Sequence, residues 1–186
     1  MSRGIPRLEY EQLEPELAAT LAPRVRRLGY LGEFFRVAGH QPAALRGFVE
    51  FTESAKSALD KRLVELLALT VASHFGNQYE RNQHERLAVR LGYGRDWVQA
   101  VERLSPDDAP GLTDIERLLQ RFALLSARAH GRAGQDDFDE VVKALGPQAA
   151  VAVLLVITRY VAHAYMVNTL ELDPPVPSIW EDGFNG

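Results

Sequence analysis

Apolar residues recur along this chain at three- and four-residue intervals almost throughout, and the two-residue alternation of half-buried strands is nearly absent. The pattern predicts an all-α protein of seven to nine helices. A first short helix opens at Pro15 and is expected to stop near Ala22, because Pro23 lacks the N–H that would continue the ladder. "LGYLGEFFRVAGH" makes another short helix and a turn. "QPAALRGFVEFTESA" begins with a proline near a first helical position and turns Leu45, Phe48, Val49 and Phe51 mostly inward. Asp60 is a good N-cap for "KRLVELLALTVASHF", which Gly76 should end. A helix from about Gln78 to Leu91 follows, then "RDWVQAVERL", a loop at "SPDDAPG", and a helix capped by Thr113. After "GRAGQ" turns the chain, "DDFDEVVKALG" is helical, and Pro147 opens a long helix to about Leu170.

The tail "DPPVPSIWEDGFNG" reads as irregular, with Trp180 and Phe184 available to dock on a neighbouring surface. No linker, internal repeat or low-complexity tract interrupts the pattern. A single domain over residues 1–186 is expected, with its core at about 25–170 and a proline-rich tail.

Two of these helices carry polar residues where apolar ones belong. With Glu80 at zero and about 100° per residue, His84 falls near 40°, Leu87 near 340°, Ala88 near 80° and Leu91 near 20°, all roughly. Glu80 and His84 therefore share the apolar face and, four residues apart, their side chains can meet. Arg81, Asn82, Glu85 and Arg86 fall on the opposite side. The preceding helix is apolar nearly all round, which marks it as buried on several sides and takes Glu65 inside with it. A carboxylate or an imidazole in such a place is costly unless it is paired. A group of them can also hold its protons near neutral pH, as general acid–base chemistry requires.

An isolated glutamate on a helix is ordinarily surface, and a histidine among leucines is ordinarily a core residue held by one hydrogen bond. Tyr79 has an equally plain reading, as a packed ring with its hydroxyl at the rim. Polar residues converging from two adjacent helices weigh toward a site. The long last helix adds Arg159 and His163, also four apart, whose ordinary reading is a pair of polar groups bonded to neighbouring backbone or across a subunit interface. Facing a cavity, Arg159 would hold a substrate carboxylate in a bidentate grip. No pair of histidines stands at i, i+4 spacing, so no metal is expected.

Composition narrows the function classes. A net charge of −4 is opposite to the basic field that nucleic acid needs. The chain has no cysteine, which excludes disulfides, thiolate metal ligands and thiol redox chemistry. "MSRGIPRLEY" lacks the apolar core of a signal peptide, and the most apolar run, "AAVAVLLVI", is far shorter than the roughly 20 residues that cross a bilayer. A cytoplasmic protein with no membrane partner is expected.

The spacing of these residues resembles the carboxymuconolactone decarboxylase and AhpD-like alkylhydroperoxidase superfamily, all-helical proteins that assemble as trimers or hexamers. Its thiol peroxidases carry a glutamate, a cysteine twelve residues on, a tyrosine two beyond, a second cysteine next and a histidine four further. Glu65, Tyr79 and His84 keep every spacing, while Asn77 and Glu80 stand at the two cysteine positions. Peroxidase chemistry is not carried over, because it needs the thiolate. What remains looks like the cysteine-free branch, whose "YEW..H"-like motif is here "YERNQH", with Arg81 in place of the tryptophan. "FFRVAGHQPAALRGFVEF", "LDKRLVELLALTVA" and "LTDIERLLQRFA" extend the likeness over about residues 25–170.

The resemblance implies a cofactor-free acid–base enzyme acting on a small oxo-acid or lactone, decarboxylation first, isomerisation or elimination next. His84 would donate or shuttle the proton, with Glu80 orienting it and Glu65 as a second acid or base. Tyr79 and Asn77 would donate hydrogen bonds to the developing oxyanion, and Arg159 and His163 would contact the substrate. The competing expectation is an oligomeric binding or scaffold protein that lost its chemistry with its cysteines.

Overall fold

The computed structural model describes residues 4–132, 134–181 and 184; residue 133 of the expected turn and residues 182, 183, 185 and 186 of the tail lie outside them. Among the described residues there are nine α-helices and no strand. They are α1 (Pro15–Leu28), α2 (Glu33–Ala38), α3 (Pro42–Ser57), α4 (Lys61–His74), α5 (Gln78–Arg90), α6 (Arg95–Glu102), α7 (Asp114–Arg128), α8 (Gln135–Leu145) and α9 (Pro147–Thr169).

Most boundaries follow from capping chemistry. Asp60 accepts from the Arg62 N–H to start α4, and Asn77 accepts from the Glu80 N–H to start α5. Thr113 and Glu116 close a reciprocal capping box on α7. Glu116 also accepts from the Trp97 indole at 2.8 Å and from Arg62 Nε at 2.7 Å, so one buried carboxylate ties α4, α6 and α7 together.

Helix α1 overruns the expected stop at Pro23 and continues to Leu28, ending at left-handed Gly29. Pro23 is exposed, so the backbone acceptor it fails to bond can turn toward water, and Leu17 and Leu21 keep the inner face packed.

Helix α4 is the central post. Every residue from Val64 to Ala72 is buried, and α5, α6, α7 and α9 pack around it. Deleting a side chain such as Leu66, Leu67 or Leu69 should cost about 2–5 kcal/mol. Around this post lie two apolar clusters. One joins α4, α6, α7 and α9 and contains Tyr160; the other joins α1, α2 and α3 with Tyr79 and Val167.

Helix α9, at 23 residues, is long and apolar enough to cross a membrane, which the nine-residue run "AAVAVLLVI" did not suggest. Over half of its most apolar stretch is covered by the rest of the chain, and Arg159 and His163 point inward.

Helix α5 departs most from its expected orientation. Glu80 and His84 are buried, but so are Asn82 and Glu85 on the side assigned to solvent, while Leu87 and Leu91 are exposed. The cause is the tail, which runs back along that side. Asn82 Nδ2 donates to the Val176 carbonyl at 3.0 Å and Arg86 Nε to that of Pro177 at 2.7 Å. Ser178 Oγ and the Ile179 N–H both donate to Glu85, at 2.5 and 2.9 Å. Trp180 donates its indole N–H to Glu102 at 2.8 Å, and the Phe184 ring lies beneath Arg86 and Arg95.

Candidate active site

The apolar clusters leave one seam filled with polar side chains, where α3, α4, α5 and α9 meet. His84 is at its centre. Its Nδ1 lies 2.6 Å from Glu65 Oε2 on α4; its Nε2 lies 3.0 Å from Glu80 Oε2, one turn back on α5, and 3.1 Å from the Tyr160 hydroxyl on α9. The other oxygen of Glu80 accepts from Arg159 Nη1 at 3.0 Å, and Arg159 Nε donates to Thr52 Oγ1 on α3 at 3.2 Å. His163 Nδ1 is 3.1 Å from the same Glu80 oxygen, but at an angle that makes no proper hydrogen bond. All of these residues are less than a tenth exposed.

Two carboxylates facing one imidazole decide its charge. Burial alone would depress the His84 pKa; Glu65 and then Glu80 outweigh it and raise the value to about 9. His84 is therefore an imidazolium at neutral pH, with its Nδ1 N–H given to Glu65, its Nε2 N–H facing the Tyr160 hydroxyl, and Glu80 beside it as a second opposite charge. For Glu80, burial works upward, and the Arg159 and His84 cations hold the carboxyl well below its usual range, with His163 adding to this only in its cationic form. His163 goes the other way. Burial, with the cations Arg159 and His84 close by, drives it down to about 3 against the pull of Glu80, so it stays neutral. Glu65, Glu80, His84 and Arg159 together form a balanced set of two negative and two positive charges.

Glu65, Glu80, His84, Arg159 and His163 are thus brought into one network. Tyr79 stands at its edge: its hydroxyl accepts from the Phe34 N–H at 3.2 Å, and its ring lies 5.9 Å from that of His163. Gly32 makes that position possible, since a Cβ there would sit 2.7 Å from the Tyr79 oxygen. Asn77 Oδ1 is engaged as the α5 cap rather than turned toward His84. Arg159 gives one N–H each from Nε and Nη1 to Thr52 and Glu80, which leaves fewer of its five donors for a bidentate grip on a substrate.

Three members went unassigned in the sequence: Tyr160, Thr52 and Phe48. Phe48 and Thr52 stand four apart on α3, with Arg159 placed 5.4 Å from the Phe48 ring and 4.3 Å from that of Tyr160. Their signal is the run Phe48, Thr52, Lys56 at helical spacing, a ring, a hydroxyl and an ammonium on one stripe.

This order and packing of helices define the AhpD-like fold. No family model and no curated protein matches the sequence. Among solved structures, a cysteine-to-alanine variant of the debrominase Bmp8 in complex with 2,3,4-tribromopyrrole superposes with a TM-score of 0.79 at 17% identity, covering 93% of this chain and 92% of that one. A peroxidase-related protein with an alkylhydroperoxidase AhpD core from Ralstonia eutropha JMP134 gives 0.78 at 16%, over 91% and 90% of the two chains. A putative antioxidant defence protein AhpD from Agrobacterium tumefaciens gives 0.66 at 17%, over 75% and 96%. These likenesses establish the fold, and this chain carries it without a cysteine.

Proposed function

We propose that the protein is a cofactor-independent acid–base enzyme acting on a small oxo-acid or lactone, with decarboxylation the leading reaction and isomerisation or elimination within reach of the same groups. The observation that carries this reading is the geometry at His84, buried with Glu65 2.6 Å from one ring nitrogen and Glu80 3.0 Å from the other. In a β-oxo acid the C–C bond to the carboxylate breaks, CO₂ leaves, and the electron pair passes into an enolate. The Nε2 proton of His84 then goes to carbon, with the Tyr160 hydroxyl at 3.1 Å placed to pass it on, and water restores the imidazolium. Glu65 keeps Nδ1 protonated throughout, and Arg159 fixes Glu80.

The test is incubation with a panel of β-oxo acids and carboxylated lactones in D₂O, following CO₂ and deuterium at carbon. Because the active form is the protonated one, kcat/KM should fall as pH rises through about 9. A rate that rises across that range would assign His84 as a base instead. Exchange without CO₂ loss would move the reaction to isomerisation or elimination.

The assembly belongs to the proposal as a homo-oligomer, a trimer or hexamer. Supporting it are the exposed apolar side chains of Val151, Leu155, Tyr165 and Met166 on α9, of Leu87 on α5 and of Leu91 just past its end, which a second copy would cover. Light scattering of the purified protein, beside a Leu155→Glu and Met166→Glu variant, checks it.

A second reading, an oligomeric scaffold, has one observation in its favour: the charges of the network are balanced by one another, with no ligand needed. Loss of stability in a His84 variant does not separate the two readings, since either leaves Glu65 and Glu80 facing each other. Turnover does.

A further inference from the structure

Lys56 is the charged residue next to this network that the acid–base reading leaves without a task. It continues the α3 stripe one turn beyond Thr52, and its ammonium lies 5.6 Å from the centroid of the Tyr160 ring, the ring whose hydroxyl meets His84. The neighbouring cations are matched: Arg159 with Glu80, and Arg24 on α1 with Glu53 at 2.8 Å. Among the described residues no carboxylate comes within ion-pair distance of Lys56. A lysine in the last turn of a helix ordinarily serves the exposed carbonyls and reaches into water. Lys56 instead lies half-buried over an aromatic face at the edge of the site.

Burial, reinforced by Arg159, lowers its pKa against the opposing pull of Glu80, Glu53 and Glu65. The four buried charges of the network cancel, so Lys56 leaves the site one positive charge in excess. A lone ammonium beside a neutral network favours one negative charge.

We propose that Lys56 is the receptor for a single carboxylate on the substrate, holding it at the half-buried edge of the network, on the side of Tyr160 where the ammonium lies. The proposal deepens the acid–base reading and rests on it for naming the ligand an oxo-carboxylate; the anion site itself needs only the geometry. The charge of an oxo-carboxylate meets the ammonium that the neighbouring carboxylates leave unmatched. A neutral lactone or ester would gain nothing from Lys56.

The chain has only three lysines, Lys56, Lys61 and Lys143, and the last two are exposed on other helices. Side-chain nitrogen NMR of the whole protein therefore gives one test signal and two internal controls. The probe is 3-hydroxybutyrate, which has a hydroxyl in place of the β-oxo group and is not decarboxylated, with its methyl ester as the neutral partner. Saturable movement of the Lys56 signal by the acid and not by the ester, with Lys61 and Lys143 still, is the expected result. Calorimetry should then find the acid bound about ten- to hundred-fold more weakly to Lys56→Met, the usual worth of a charge-assisted contact.

Equal movement of all three lysines, an equal response to the ester, or undiminished binding by Lys56→Met overturns the proposal. Acetoacetate supplied in D₂O keeps the two ideas apart. If the probe binds at Lys56 while acetoacetate loses CO₂ and exchanges no faster than it does without the protein, the anion site stands and the acid–base reading falls.

Discussion

The two long sides of α5 bury carboxylates five residues apart and treat them in opposite ways. On the inner side Glu80 meets a guanidinium and an imidazolium and is held ionised. On the outer side Glu85 faces Glu102 across Arg81, whose Nε lies 3.1 Å from one and 3.9 Å from the other. There, burial and the second carboxylate raise the Glu102 pKa to about 7. One oxygen of each glutamate has no hydrogen-bond partner, which leaves burial and the second carboxylate to favour the protonated form of Glu102. Burial is common to both sides, so the neighbours decide. The inner side is organised around fixed charges, while the outer side clasps the tail with a proton.

The largest effect should come from the inner side. Replacing Glu80 with leucine strands Arg159 and half of the His84 contacts, and urea unfolding should record a loss of about 3–5 kcal/mol. A loss below about 1 kcal/mol would mean that the inner charges are solvated and the contrast is false.

On the outer side the expected change has the opposite sign. Glu102 holds its proton in the folded protein up to about pH 7 and loses it near 4.5 when unfolded, so stability falls as pH rises between these values. Glu102→Gln keeps the protonated shape and should gain on the order of 1–2 kcal/mol at pH 8, with no gain at pH 4. Equal effects at both pH values would mean that Glu102 is not held protonated by its surroundings.

Wild-type stability against pH sharpens the inner side. The unfolded chain protonates His163 near 6.5, whereas the folded chain does so only near 3, so the protein weakens as pH falls across that interval. The ionised Glu80 adds to the acid loss below its unfolded value of 4.5. His84 acts at the other end: its contribution is complete below pH 6.5 and disappears as pH rises through about 9. The midpoint of urea unfolding, followed from pH 3 to 10, should therefore decline at both ends. The smallest change is expected from Trp180→Phe, which keeps the ring and removes the N–H donated to Glu102. Its cost should be about 0.5–1.5 kcal/mol by the same assay.

The inner side was legible in the sequence and the outer side was not, for a physical reason. Glu80, His84 and Glu65 lie on helices whose period is written in their leucines and alanines, so a polar residue on the wrong face announces itself. Asn82 and Glu85 are covered by residues 176–179, a segment with no period, and nothing local in α5 marks that cover. The same absence of local signal hid the exposure of Leu87 and Leu91. Pro23 was over-weighted because its cost depends on whether its face of the helix meets water. The α3 stripe of Phe48, Thr52 and Lys56 is periodic, but its meeting with Tyr160 is packing between α3 and α9, a relation between distant segments that periodicity in either helix cannot express.

The account depends most on the charge of His84. The chain has five histidines, and imidazole nitrogen NMR can follow each through a titration. The prediction is a His84 with both nitrogens protonated at pH 7, titrating near 9, beside a His163 that remains a neutral tautomer down to about 3. A His84 that is a neutral single tautomer at pH 7 would contradict the buried imidazolium on which the proposed chemistry stands.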